Sequence, residues 1–76
     1  MARVKTVKIA SELVANVLEI SVEVGDRVEA GAQVALLESM KMEIPMLTEF
    51  AGTVVEVVAE VGDVVQDGDV LVVVES

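Results

Sequence analysis

Residues 15–39 read ANVLEISVEVGDRVEAGAQVALLES, and residues 52–76 read GTVVEVVAEVGDVVQDGDVLVVVES. The second stretch repeats the first at an offset of 37 residues, and ten of the 25 aligned positions are identical. A segment of this length is too short to bury a core by itself. We therefore expect a single domain over residues 1–76, in which the two copies fold against each other about a pseudo-twofold axis.

Each copy carries the same order of strand and turn signals. An alternating apolar and polar run predicts a strand, and Val-Gly-Asp follows it at 24–26 and again at 61–63. Glycine supplies a positive φ and aspartate bonds nearby backbone, so this motif predicts a tight turn. Valine makes up 19 of the 76 residues, and β-branched side chains favour strands. The predicted fold is an all-β flattened barrel or sandwich of two quasi-symmetric halves.

The pattern predicts six strands and two short bridges. The connection at Ala10–Leu13 is left open, with Ser11 as a candidate for a turn-forming side chain. The bridges are expected near Val28 and Val65. The strands are expected at Val4–Ile9, Val17–Val22, Val34–Ser39, Met42–Leu47, Thr53–Val58 and Val70–Val74.

The composition excludes several classes of protein. The chain has no Cys and no His, and Phe50 is its one aromatic residue, so thiol or histidine catalysis and base-stacking platforms are excluded. A net charge of −9 makes nucleic acid and anionic membranes poor partners. Asp63, Asp67 and Asp69 lack the remaining ligands of a calcium loop, so no metal site is predicted. We expect a cytoplasmic binding, carrier or scaffold module rather than an enzyme.

Lys41 is the one lysine in residues 9–76, and it lies between the two copies. If Val34–Ser39 pairs with Met42–Leu47, the connection is the two residues Met40 and Lys41. Such a turn favours Asn-Gly or Asp-Gly because both positions need a positive φ. The same register places Glu38 opposite Glu43, a mildly destabilising like-charge pair. Strain that is kept at a loop tip indicates a function.

The surroundings of Lys41 indicate which function. A lysine becomes a nucleophile through desolvation or cationic neighbours, and this sequence offers two glutamates and an open tip. Lys41 is therefore better suited to be modified by another enzyme than to catalyse. Exposed methionines at 40 and 42 would form an adaptable contact surface, although Met42 could also face the core with Ile44. The plain alternative is that Lys41 is a solubilising charge.

The stretch Glu38-Ser39-Met40-Lys41-Met42-Glu43 resembles the attachment motif of biotinyl domains. The biotin/lipoyl attachment family is similar along nearly the whole chain, with a Val-Gly-Asp turn in each half and a modified lysine on the hairpin between them. The resemblance implies that Lys41 carries covalent biotin, that Met40 and Met42 flank it, and that Glu38 contacts a ligase. It further implies three partners: a biotin protein ligase, a biotin carboxylase and a carboxyltransferase. We expect the isolated carboxyl carrier to be monomeric.

Two alternatives share the fold. In a lipoyl carrier the lysine is usually preceded by an acidic residue and followed by a small one, which Met40 and Met42 contradict. An unmodified adaptor domain would leave the Met-Lys-Met tip without a reason. The first copy also departs from the family, because Val14-Ala15-Asn16 stands where many members have Pro-Gly. The start of that strand therefore remains open.

Overall fold

The computed structural model describes residues 5–76 as two four-stranded antiparallel sheets. The first sheet has the order β1-β8-β6-β3, and the second has the order β5-β4-β2-β7. No helix that could cross a bilayer occurs in this part of the chain. The predicted all-β architecture is confirmed. The strands are β1 Thr6–Ala10, β2 Ala15–Ile20, β3 Arg27–Val28, β4 Gln33–Ser39, β5 Met42–Leu47, β6 Gly52–Val57, β7 Val64–Val65 and β8 Val70–Glu75.

The core between the sheets consists of aliphatic side chains, mainly valine, with no aromatic ring among its buried members. β-branched side chains such as valine are restricted at χ1, and they pack well against their neighbours on a pleated sheet face. Six of the seven largest fully buried apolar side chains form pairs 37 residues apart, one from each sheet. These pairs are Val17 and Val54, Val34 and Leu71, and Leu37 and Val74.

The two copies interlock through their shortest strands. In the second sheet β7 pairs with β2, and in the first sheet β3 pairs with β6. Each sheet therefore contains a strand from the other copy. The backbone N–H of Val17 donates to the carbonyl of Asp63 at 2.8 Å, and that of Val54 donates to the carbonyl of Asp26 at 2.8 Å. Neither half could complete its hydrogen bonding alone.

The Val-Gly-Asp turns form as the sequence predicts. Gly25 and Gly62 have φ values of 98° and 95°, a region that side chains other than glycine rarely adopt. In the first turn the Asp26 carboxylate accepts the N–H of Glu23 at 2.9 Å, and the second turn repeats this contact at Asp63. Asp69 closes a similar turn. These carboxylates are therefore used inside their turns.

Ser11 does form a turn, and it has a counterpart that sequence comparison missed. Its buried hydroxyl donates to the carbonyl of Leu13 at 2.6 Å. Thr48, 37 residues later, is equally buried and donates to the carbonyl of Phe50 at 2.8 Å. Each of these hydroxyl residues is followed by a glutamate, so the sequence carries a short trace of the repeat here, outside the two stretches 15–39 and 52–76.

Both predicted boundaries of β2 and both predicted boundaries of β6 are wrong. β2 covers Ala15–Ile20 rather than Val17–Val22, because β7 supplies a pairing partner to Ala15 and Asn16. β6 begins at Gly52 rather than Thr53 because Gly52 pairs with Val28 of β3. Both strands also end earlier than predicted, at Ile20 and at Val57. Each contains a register shift beyond its central buried valine, and its pairing continues after that shift.

The remaining boundaries differ little from the prediction. β5 and the end of β4 match it, β4 begins one residue earlier at Gln33, which pairs with Leu47 of β5, and β8 extends to Glu75. β1 extends to Ala10, which pairs with Val70 of β8. The predicted beginning of β1 at Val4 lies outside the described residues.

Candidate functional site

The β4–β5 hairpin ends in the two-residue turn that the sequence predicts. Ser39 pairs with Met42, which leaves Met40 and Lys41 as the whole connection. Their φ values are 52° and 67°, and within residues 5–76 no other residue except glycine has a positive φ. The backbone thus adopts the conformation typical of Asn-Gly turns with two long side chains in place. Both residues are held outward in a sterically disfavoured region.

All three residues of the Met-Lys-Met sequence are exposed. The exposed fraction is 91% for Met40 and 66% for Met42, and Lys41 is also exposed. Met42 therefore does not face the core, and the alternative that it fills a core gap is wrong. Its inward neighbours along β5 are Ile44 and Met46, which are half-buried against the core. The core therefore reaches Ile44 and Met46 on β5, and it does not cover Met42 at the end of the hairpin.

The base of the hairpin carries acidic residues. Glu38 and Glu43 face each other across the strands, as predicted. Asn16 of β2 pairs with Glu38, and Val64 of β7 pairs with Asn16, so this row crosses the second sheet without a basic residue. Two carboxylates directly opposite each other repel. The fold gains no stability from this pair.

A side-chain hydrogen bond ties the hairpin to the adjacent loop. The Ser39 hydroxyl donates to the carbonyl of Val14 at 2.9 Å, just before β2 begins. This contact lies at the segment Val14-Ala15-Asn16, whose structure the sequence left open. A regular strand begins there without the Pro-Gly entry. The turn is therefore connected to a stiff sheet on both sides.

The pseudo-symmetric counterpart of the hairpin is the pair Lys5 and Ser76. The 37-residue offset relates Met42 to Lys5 and Ser39 to Ser76. The Ser76 N–H donates to the Lys5 carbonyl at 2.9 Å, which continues the β1–β8 ladder. The Lys5 amine lies 3.9 Å from the centroid of the Phe50 ring, a cation–π contact. Lys5 is thus packed on the domain, whereas Lys41 projects from it.

No arrangement for catalysis accompanies Lys41. Among residues 5–76 there is no group of three or more His, Cys, Asp or Glu side chains that could hold a metal ion. A groove of about 230 Å³ lies between β1 and β5, where Lys8, Glu12 and Glu49 line it with apolar strand residues. Its lining does not include Met40, Lys41 or Met42. The hairpin can therefore present a primary amine to an enzyme that supplies the chemistry.

A family model described as "Biotin-requiring enzyme" matches residues 3–74. The chain therefore belongs to the family of biotin/lipoyl attachment domains. A curated relative, "Biotinylated protein TB7.3" of Mycobacterium tuberculosis, is 56% identical over 39 residues. The match covers 51% of this chain and 55% of that protein, so the chain spans about half the length of the curated relatives it matches.

Two solved structures contain a fold similar to that of this chain. Urea carboxylase of Kluyveromyces lactis is 31% identical with a TM-score of 0.85, and the match covers 92% of this chain and 6% of that one. The lipoyl domain of the 2-oxoglutarate dehydrogenase complex of Azotobacter vinelandii has a TM-score of 0.71 at 24% identity. That match covers 88% of this chain and 90% of the lipoyl domain, and it shows the fold alone.

Proposed function

We propose that this protein is a biotin carrier that is acylated on the Nζ atom of Lys41. One observation carries the proposal: Lys41 is exposed at the tip of a two-residue hairpin whose backbone is held at positive φ. Enzyme access to a lysine requires that it project from the fold, and a stiff strand pair limits the positions it can take. The matching relative that is named as biotinylated supports the same acyl group.

The neighbouring residues have distinct roles in this proposal. Met40 and Met42 supply exposed apolar surface on both sides of the amine, which a biotin protein ligase would cover on docking. Glu38 and its partner Glu43 give the base of the hairpin a negative charge that would attract a basic ligase surface. ATP would activate the biotin carboxyl group as an acyl adenylate, and the deprotonated Nζ would attack the acyl carbon. The amide bond forms, the bond from the acyl carbon to the phosphate oxygen breaks, AMP leaves, and Lys41 loses its charge. The net charge of the chain, −9 before acylation, becomes one unit more negative.

The acylated lysine would act as a carboxyl carrier. A biotin carboxylase would load the biotin ring, and a carboxyltransferase would unload it. Tethering keeps the group at high local concentration near both sites and avoids diffusion of a free intermediate. The similarity of the fold to part of a urea carboxylase supports this role. The acidic surface would favour basic docking faces on both partners and keep the isolated carrier monomeric.

The direct test is acylation in vitro. The protein is incubated with a biotin protein ligase, ATP and biotin, and the product is mapped by mass spectrometry. We expect one biotin on Lys41 and none on Lys5 or Lys8, which serve as internal controls. Lys41→Arg keeps the charge but should accept no biotin. An absent product, or biotin on another lysine, would contradict the proposal.

A lipoyl carrier is the second candidate, because the family to which the chain belongs includes lipoyl attachment domains as well as biotinyl ones. The exposed methionines on both sides of Lys41 argue against it, since the lipoyl motif has an acidic and a small neighbour. A parallel incubation with a lipoate protein ligase, ATP and lipoate separates the two carriers. Lipoate on Lys41 without biotin would replace the first proposal by the second.

A further inference from the structure

The three methionines in the described part of the chain have very different surroundings. Met40 and Met42 are 91% and 66% exposed at the hairpin tip. Met46 lies further along β5, where it is half-buried against the core. The chain has no cysteine, so its thioethers are its only sulfur atoms. Susceptibility of a thioether to oxidation follows its exposure, which singles out the two side chains next to Lys41.

The fold does not need these two thioethers. At Met40 the backbone φ of 52° would suit asparagine or glycine better than a long side chain. Met42 occupies a position whose counterpart in the first half is Lys5. Neither side chain lies among the residues that form or line the core. Their exposed apolar surface is therefore available for contacts with another molecule, and a change in its polarity would alter those contacts.

We propose that Met40 and Met42 form a reversible oxidation site, and that their conversion to sulfoxides slows the acylation of Lys41. The oxidant is a peroxide. The sulfur lone pair attacks one peroxide oxygen, an S–O bond forms, and the O–O bond breaks. A proton transfer then releases water. The sulfur loses two electrons and the peroxide gains them, and a thiol-dependent methionine sulfoxide reductase reverses the change.

The slower acylation of Lys41 follows from the cost of removing water from the sulfoxides when the ligase docks. A sulfoxide is strongly polar, and covering it with an enzyme surface that offers no hydrogen-bond donor is unfavourable. We expect the acylation rate to fall about tenfold, a typical loss for one unpaired polar group in an interface. The fold itself should keep its thermal midpoint, because both side chains project into solvent. The effect on acylation rests on the proposed function, whereas the oxidation itself does not.

The experiment treats the full chain with graded hydrogen peroxide and maps the added oxygen by mass spectrometry. Met40 and Met42 should be oxidised at doses that leave Met46 intact. Each sample is then acylated by a biotin protein ligase. The acylation rate of the treated sample is divided by the rate of the untreated sample, and this ratio is compared between the natural chain and its variants. We expect a ratio of about one tenth for the natural chain, restored by a methionine sulfoxide reductase with thiol.

Matched variants show which methionines cause the change in the ratio of acylation rates. Met46→Leu should keep the sensitivity to peroxide. The double variant Met40→Leu with Met42→Leu should give a ratio near one, whatever its untreated rate. Equal oxidation of all three methionines, or an unchanged ratio after oxidation of Met40 and Met42, would overturn this inference alone. If the untreated chain accepts no biotin on Lys41, the proposed function fails, and the inference fails with it.

Discussion

The hairpin tip and its pseudo-symmetric counterpart share a backbone pattern and the same Glu-Ser strand end, but the residues that pair with that strand end differ. The Ser39–Met42 pair is followed by a turn with two strained residues, whereas the Ser76–Lys5 pair completes its ladder with no such turn between its strands. Below these pairs, Glu38 faces Glu43 at the tip. At the counterpart Glu75 faces Thr6.

The fold therefore tolerates both versions of this strand pair. Strain, like-charge repulsion and exposed methionines occur together at the tip and not at the pair Lys5 and Ser76, and none of them stabilises the domain. Features that a fold does not need, concentrated around one lysine, are typical of a site that another protein recognises. Exchanging residues between the two ends tests this interpretation.

The largest effect is expected at Gly52, beside β8. A Cβ there would lie 2.6 Å from the carbonyl oxygen of Glu75 and 2.9 Å from its carbon, so backbone would have to move. The counterpart at the hairpin end is Ala15, which is buried without difficulty. We expect Gly52→Ala to lower the free energy of unfolding by about 1–3 kcal/mol in urea titrations. Ala15→Gly should cost about 1 kcal/mol or less. Equal stability of Gly52→Ala and the natural chain would contradict the close approach.

The second effect concerns strain in the turn. Replacing Met40 by Asn and Lys41 by Gly gives the residues that this backbone favours, and stability should rise by about 1–2 kcal/mol. The same variant loses the amine and should accept no biotin. Met40→Asn alone keeps Lys41 and should recover part of the gain in chemical denaturation. A less stable double variant would show that the tip is not strained.

A smaller effect is expected from the like-charge pair. Glu43→Thr copies the counterpart Thr6 and removes the repulsion opposite Glu38, so stability should rise by about 0.5 kcal/mol. Thr6→Glu, placed opposite Glu75, should lower it by a similar amount. Both differences should shrink in high salt, because ions screen exposed charges. Thermal unfolding at two ionic strengths measures them, and differences that persist at high salt would exclude a charge effect.

The smallest effect of all is expected at Lys41, and the matched variant at Lys5 is its control. Lys5→Ala removes a cation–π contact with Phe50 and should cost about 0.5–1 kcal/mol. Lys41→Ala removes an exposed side chain and should change stability by less than about 0.5 kcal/mol. Calorimetry of both variants makes the comparison. A larger loss for Lys41→Ala would indicate that this lysine supports the fold.

The turns were predictable from the sequence because their causes are local. Gly25 and Asp26 determine their turn within four residues, and the hairpin at Met40 follows from the spacing of two strand patterns. The start of β2 was not predictable, because β7 pairs with it from almost fifty residues away in sequence. The equivalence of Ser11 and Thr48 also needed the structure, since a hydroxyl residue followed by glutamate is too short a match to predict the shared hydrogen bonds.

By itself, the sequence determined the repeat, the turn positions and the placement of one lysine between the two copies. Those features depend on residue types at short range, where glycine, aspartate and valine restrict the backbone directly. Only the tertiary structure decided that Met42 is exposed and Met46 is not, and that Lys5 packs on Phe50 while Lys41 projects. Met42 and Met46 are four residues apart on β5 and therefore lie on the same face of the strand. Their exposure differs because the core covers one end of that face and not the other.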